Sequence, residues 1–324
     1  MTIELPGLFD LQLNGFGGID FNGPDLTADR VEEALQRVRL TGVTRCLPTL
    51  ITSSFEDFAA SARVLSRVPS PAIAGVHMEG PYLSPEDGPR GAHPRAHVRA
   101  ATVEDFRRRQ DAADGRIVLV TLAPEVDGAI ALVEHLVASG VRVALGHTAA
   151  TPDQLAAAVA AGATLATHLG NGCAHMLPRH PNTIWELLAA DAVVATFIVD
   201  GHHLPPATVK AMIRAKGIER SVLVTDAIAA AGCAPGTHTI GGVMAELSPD
   251  GRVSLRGTPY LAGSALTLDR AVANTVRYTG LPLDDVIPMA STIPAACVGQ
   301  TTRGMVHADW TPETAELTVL RVTD

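Results

Sequence analysis

Short β-branched apolar runs return at regular intervals along this chain, each followed by polar, Gly or Pro residues and then an Ala-rich stretch of helical period. Eight such runs occur, at residues 7–13, 44–50, 73–79, 117–122, 141–147, 164–169, 193–199 and 221–226. They are nearly continuous in apolar character, with little alternation, as a parallel sheet covered on both faces requires. Between them, TPDQLAAAVAAG places Thr151 as N-cap, Pro152 in the first turn and Gly162 as the stop, and LPPATVKAMIRAKG repeats this logic with Pro206 and Gly217. Eight strand–helix repeats favour a closed (β/α) barrel of the TIM type over an open doubly wound sheet. With 324 residues there is room for one such domain and a small appendage. Aromatic residues make up only 4%, and layered Val, Ile, Leu and Ala are expected to fill the interior.

The pattern changes after residue 226. A Gly-rich segment, 237–255, reads as hairpin strands turning at Pro249, Asp250 and Gly251, followed by helices at 266–279 and 282–290 and a last short strand at 316–322. A formal charge of −9, without a sustained Lys/Arg run, argues against nucleic acid as the main partner. Neither a spanning apolar stretch nor a basic leader followed by an apolar core is present, so a cytoplasmic, membrane-free protein is expected. Cys46, Cys173, Cys233 and Cys297 lie far apart with no CxxC, which suggests free thiols rather than disulfides or a cysteine zinc site.

Chemistry gathers at the C-terminal ends of the strands in such barrels, and the unusual polar residues fall there. The third run ends in Glu79, followed at once by Gly80 and Pro81, while the fifth and sixth end in His147 and His168. One carboxylate and two imidazoles on the same rim make a mononuclear site for a catalytic divalent cation with an open position for water, most naturally Zn²⁺, with Fe²⁺, Mn²⁺ or Co²⁺ as alternatives. Taken singly, each residue would as readily be a satisfied core group or a rim ion pair. Asp226 ends the eighth run, where a carboxylate can move protons to and from a reacting group or can simply cap a helix.

Read in order, PGLFDLQLNGFGGIDF, HMEGPYLSP, GAHP, LAPE, GHT, THLGN, VDGHHL, LVTDA and LAGSALTLDRAVAN resemble the N-acetylglucosamine-6-phosphate deacetylase family of the amidohydrolase superfamily. The resemblance implies hydrolytic removal of acetate from an amino sugar phosphate. It makes Glu79, His147 and His168 the metal ligands, Asp226 the general base and acid, and His93 the residue that polarises the amide carbonyl. Two-metal relatives carry HxH in the first strand, whereas Gln12 and Asn14 stand here, which implies one tightly held ion. Gln12, Asn14, Asn171, Gly172, Arg179, His203, Leu261, Ala262 and Gly263 match the family's substrate pocket, with Arg179 reaching across from a partner in a homodimer. Without the resemblance, 261–263 would read as a helix entry with Ser264 as N-cap.

The chain departs from the family at Gly172 to Met176, which adds His175, with His180 beyond, and at His202, where an apolar residue is usual. Those changes leave open another N-acyl amino sugar, such as N-acetylgalactosamine 6-phosphate, a non-phosphorylated amide, or a non-catalytic sugar-phosphate binder. The family usually precedes the first barrel strand with part of a small β domain that the C-terminus completes. Here the expectation is a barrel over 1–300 with 301–324 as a vestige of that domain.

Overall fold

The computed structural model describes residues 1–240, 243–258 and 261–324. Eight parallel strands follow one another around a barrel: Leu8–Leu13, Val43–Ile51, Val76–Glu79, Ile117–Leu122, Arg142–Leu145, Leu165–Ala166, Val194–Phe197 and Ser221–Leu223. Each pairs with its sequence neighbour. The seam between last and first is closed just beyond the eighth strand, where Asp226 N–H donates to Gln12 O at 2.9 Å and Asn14 N–H donates to Ala227 O at 2.8 Å. The functional ends of strands one and eight are thereby stitched to each other.

The helices between strands carry the end signals that their sequences predict. Helix Pro152–Ala160 has Thr151 as N-cap in a full capping box with Gln154, a feature that stabilises a helix by about 1 kcal/mol, and Gly162 turns the chain out of it at φ 108°. Helix Pro206–Lys216 stops at Gly217. Their apolar faces, among them Leu155, Val209 and Ile213, pack on one continuous core that includes strand residues Leu11, Val143 and Phe197.

The interior differs from the expected apolar layers. Just beneath the C-terminal rim, Asp10, Thr49, His77, Thr121, Thr167 and Thr225 are buried together. His77 Nδ1 donates to Leu11 O at 3.1 Å, and its Nε2 lies 2.7 Å from Thr121 Oγ1, which bonds Thr167 Oγ1 at 2.7 Å. Buried polar groups persist when each finds a partner, and burial holds this imidazole neutral by lowering its pKa to about 4.

Three antiparallel strands, rather than a single hairpin, follow the barrel: Gly236–Ile240, Val243–Leu247 and Val253–Leu255. Residues 241–242 of the expected hairpin lie outside the described residues. Ser264 does not cap a helix; it bridges Ala227, and Thr267 precedes helix Leu268–Thr279. The second expected helix is a short α-turn, Leu283–Val286, continued as the 3₁₀ segment Ile287–Ala290. At the opposite end of the barrel from the rim, Thr2–Pro6 pairs with Met305–Thr311, which pairs with Glu316–Thr323, so both chain ends share one small sheet. A cavity of about 510 Å³ also lies at that N-terminal end, lined in part by Arg39, Thr44 and Arg303, where barrels carry stability rather than chemistry. Among the described residues no helix is long and apolar enough to cross a membrane.

Candidate active site

Strand three delivers Glu79 to the rim, and the loops after strands five and six deliver His147 and His168. Glu79 Oε1 lies 3.1 Å from His147 Nε2 and 3.1 Å from His168 Nε2, and the two Nε2 atoms are 3.1 Å apart. All three residues are buried. His147 Nδ1 donates to Pro89 O at 2.9 Å, so its Nε2 presents a lone pair to a carboxylate oxygen and another imidazole. Three donor atoms converging at this spacing suit one shared cation with bonds of roughly 2.0–2.2 Å, and the residues therefore fit the divalent ion that their types imply. Burial alone would raise the Glu79 carboxyl, but the imidazoles beside it hold it well below the usual range.

Close packing of two glycines holds the His147 ring in place. A Cβ on Gly172 would stand 2.9 Å from His147 Nδ1, and one on Gly91 would stand 3.2 Å from His147 Cε1. Gly172 thus belongs to the wall behind the ligand, where its carbonyl accepts from Thr148 N–H at 3.2 Å.

Asp226 sits across from the cluster. Its Oδ1 accepts from Gln12 Nε2 at 3.0 Å and from Asn14 Nδ2 at 2.6 Å, and the same Gln12 amide donates to Glu79 Oε1 at 3.0 Å. Gln12 and Asn14, expected in the substrate pocket, therefore spend their amide donors on the two carboxylates. Burial and the nearby Glu79 charge push Asp226 up to about 6, in the range that suits a proton carrier near neutrality. His93 joins from the loop after strand three, its Nδ1 3.0 Å from Thr52 Oγ1 and its Nε2 3.2 Å from His147 Nε2. Burial and the neighbouring His147 lower its pKa to about 3, which keeps this imidazole neutral.

The remaining expected residues are distributed unevenly. Asn171 folds back, its Nδ2 donating to His168 O at 3.2 Å. His203 Nδ1 lies 2.6 Å from Asp200 Oδ2, and Asp200 also accepts the backbone N–H groups of His202 and His203. Asp200 orients this imidazole and was not singled out from the sequence. Ala262 N–H donates to Val253 O at 3.1 Å and Leu261 bridges Ser254, so 261–263 is carried by the three-stranded sheet. Arg179, His175 and His180 are exposed on the loop after strand six, and Arg179 is not brought into the cluster within one chain. His202 Nε2 donates to Asp250 O at 3.3 Å, a contact between the loop after strand seven and the sheet's turn.

Two carboxylates that sequence reasoning passed over stand behind the site. Asp10, fully buried, takes the Thr225 hydroxyl and the N–H groups of Gln12 and Thr225 at 3.2 and 3.3 Å. Glu125 takes the Thr148 hydroxyl and the Ala149 N–H. Each lay inside a quoted motif, but neither has the spacing of a ligand or a base.

The amidohydrolase family model matches residues 3–305. The chain belongs to the amidohydrolase family. It is 36% identical over 318 residues to N-acetylglucosamine-6-phosphate deacetylase of Bos taurus, covering 92% of this chain and 75% of that protein. It is 35% identical over 301 residues to N-acetylgalactosamine-6-phosphate deacetylase of Escherichia coli O157:H7, covering 91% and 78%. Among solved structures, it superposes with a TM-score of 0.90 at 34% identity on an Mycobacterium smegmatis N-acetyl-D-glucosamine-6-phosphate deacetylase variant in complex with N-acetyl-D-glucosamine-6-phosphate, covering 99% of this chain and 86% of that one. The Pasteurella multocida N-acetylglucosamine-6-phosphate deacetylase gives 0.88 at 30% identity, covering 99% and 84%.

Proposed function

We propose that this amidohydrolase removes acetate from N-acetylglucosamine 6-phosphate, giving glucosamine 6-phosphate, with Glu79, His147 and His168 holding one divalent ion, Zn²⁺ first among the candidates. The observation that carries the reading is the single Gln12 amide that bonds both Glu79 and Asp226, because it sets a proton-carrying carboxylate beside the ligand cluster in a fixed orientation.

When bound, a divalent ion lowers the pKa of a water and polarises a carbonyl. Asp226 takes the proton of the attacking water and returns it to the departing amine, a double role open to one carboxylate because each turnover regenerates it. Gln12 and Asn14 hold its Oδ1, which leaves the other oxygen for this transfer. His93, kept neutral by burial, hydrogen-bonds the substrate carbonyl as charge builds on its oxygen. His203, oriented by Asp200, and Asn171 serve the phosphate, together with Arg179 from a second subunit of a homodimer. These donors suit a phosphate dianion.

D226N keeps the ligand cluster and loses the proton carrier. Its expected kcat is lower by about 10²–10⁴-fold with metal content unchanged. Turnover near the wild-type rate would contradict the assignment. N-acetylgalactosamine 6-phosphate is the second reading, favoured by the near-equal identities to relatives named for each sugar, 36% and 35%. Acetate release measured on both epimers, with and without the 6-phosphate, separates these substrates.

A further inference from the structure

The loop after strand five must hold His147 in a conformation that L-residues rarely adopt, at φ 51°. Unsupported, such a residue would relax and carry its imidazole away from the other donors. Several bonds prevent this. Ser84 N–H donates to His147 O at 3.0 Å, and Thr148 N–H donates to Gly172 O at 3.2 Å. The next two anchors both come from one side chain: Glu125 accepts the Thr148 hydroxyl at 2.5 Å and the Ala149 N–H at 2.7 Å. Ala150 N–H then donates back to Thr148 Oγ1 at 2.9 Å, so the hydroxyl is engaged from both sides.

Glu125 reaches this loop from the segment after strand four, which is itself pinned. Ala123 N–H donates to Tyr82 O at 2.8 Å, in the loop after Glu79, and Ala101 N–H donates to Asp127 O at 2.8 Å. The Glu125 carboxylate therefore ties the loop that bears His147 to the frame beside Glu79.

We infer that Glu125 is a positioning residue that sets the cation affinity of the site by clamping the 148–149 backbone and, through it, the His147 imidazole. It does not touch the cation or the substrate. The inference rests on the reading of Glu79, His147 and His168 as ion ligands. Interactions of this supporting kind are typically worth 10- to 100-fold in metal affinity. The two donors, a hydroxyl and an amide N–H, are met by the two oxygens of this one side chain.

The test is titration of metal-depleted full-length protein with Zn²⁺, comparing wild type, E125A, E125Q and L132A at a temperature well below their melting points. E125A deletes clamp and charge together. E125Q deletes the charge, keeps an oxygen for Ala149 N–H and offers an amide N–H that donates to Thr148 Oγ1, so the clamp persists with that one bond reversed. L132A destabilises the neighbouring helix Ala129–Ala138 from its buried face without touching the clamp. Expected are a 10- to 100-fold loss of affinity in E125A, recovery of most of it in E125Q, and wild-type affinity in L132A. Wild-type affinity in E125A overturns the inference. Equal losses in E125A and E125Q would assign the effect to charge, and a comparable loss in L132A would assign it to general instability; either result overturns it too. Failure of wild type itself to bind Zn²⁺ is a separate outcome, and it would refute the ion-site reading on which the inference stands.

Discussion

His147, His168 and Asp226 share left-handed backbone, at φ 51°, 31° and 48°. Among the described residues only two other non-glycine positions do so, Asp114 and Ala315, both outside the site. Strain of this kind costs on the order of 1–3 kcal/mol per residue and persists where the surroundings over-determine it. Here a carboxylate and the threonine next to the strained residue recur as a pair, half-buried Glu125 with Thr148 beside His147 and fully buried Asp10 with Thr225 beside Asp226. Burial raises Asp10 from 3.8 to about 7 against the pull of its three donors. Its pKa is therefore raised on folding, and between those values the folded protein holds a proton that the unfolded chain has released. The contribution of Asp10 to stability is present below pH 3.8 and is lost as pH rises through 7. Denaturant unfolding measured across pH 4–7 should show a slope from this group that D10N, which cannot titrate, removes. An unchanged slope in D10N would show that Asp10 stays ionised throughout.

Periodicity located every barrel strand, because a buried parallel strand is a run of apolar residues whatever surrounds it. The strand ends were less legible. The runs at 141–147, 164–169 and 221–226 overshoot the observed strands, since His147, His168 and Asp226 turn out of the sheet just beyond them. That Glu79, His147, His168 and Asp226 would meet was readable from their place at the rim and their residue types. Their supports were not: Asp10, Glu125 and Asp200 bond backbones brought close only by the fold, and nothing in their spacing announces it. Lys216 is another such case. It ends helix Pro206–Lys216, almost wholly buried, and its ammonium donates to Leu187 O and Ala190 O, both at 2.7 Å. Those carbonyls close helix Thr183–Ala189, the element that follows the loop bearing Asn171 and Arg179. K216M keeps the apolar stem and leaves the carbonyls without a donor, so stability should fall by about 1–3 kcal/mol in denaturant unfolding. A variant as stable as wild type would show that the buried ammonium costs as much as its bonds return.

At the scale of the molecule, closure of the barrel is itself part of the site. The bonds that join strand one to the segment after strand eight run through Gln12, Asn14 and Asp226, so Asp226 is held by the same seam that completes the barrel. The chain spans about three quarters of the length of the curated relatives it matches, 75% for the bovine protein, and the small sheet of Thr2–Pro6, Met305–Thr311 and Glu316–Thr323 lies at the other end of the barrel from this chemistry. We propose that this sheet corresponds to part of the family's small β domain, and that the barrel carries the activity. The most direct test is acetate release from N-acetylglucosamine 6-phosphate by the purified protein, assayed after chelation and again after one equivalent of Zn²⁺ is restored. The account predicts no measurable release after chelation and full recovery on restoring the ion. Acetate release that persists in the metal-depleted protein, or none in the zinc-loaded protein on this sugar phosphate or its galactosamine epimer, would contradict it.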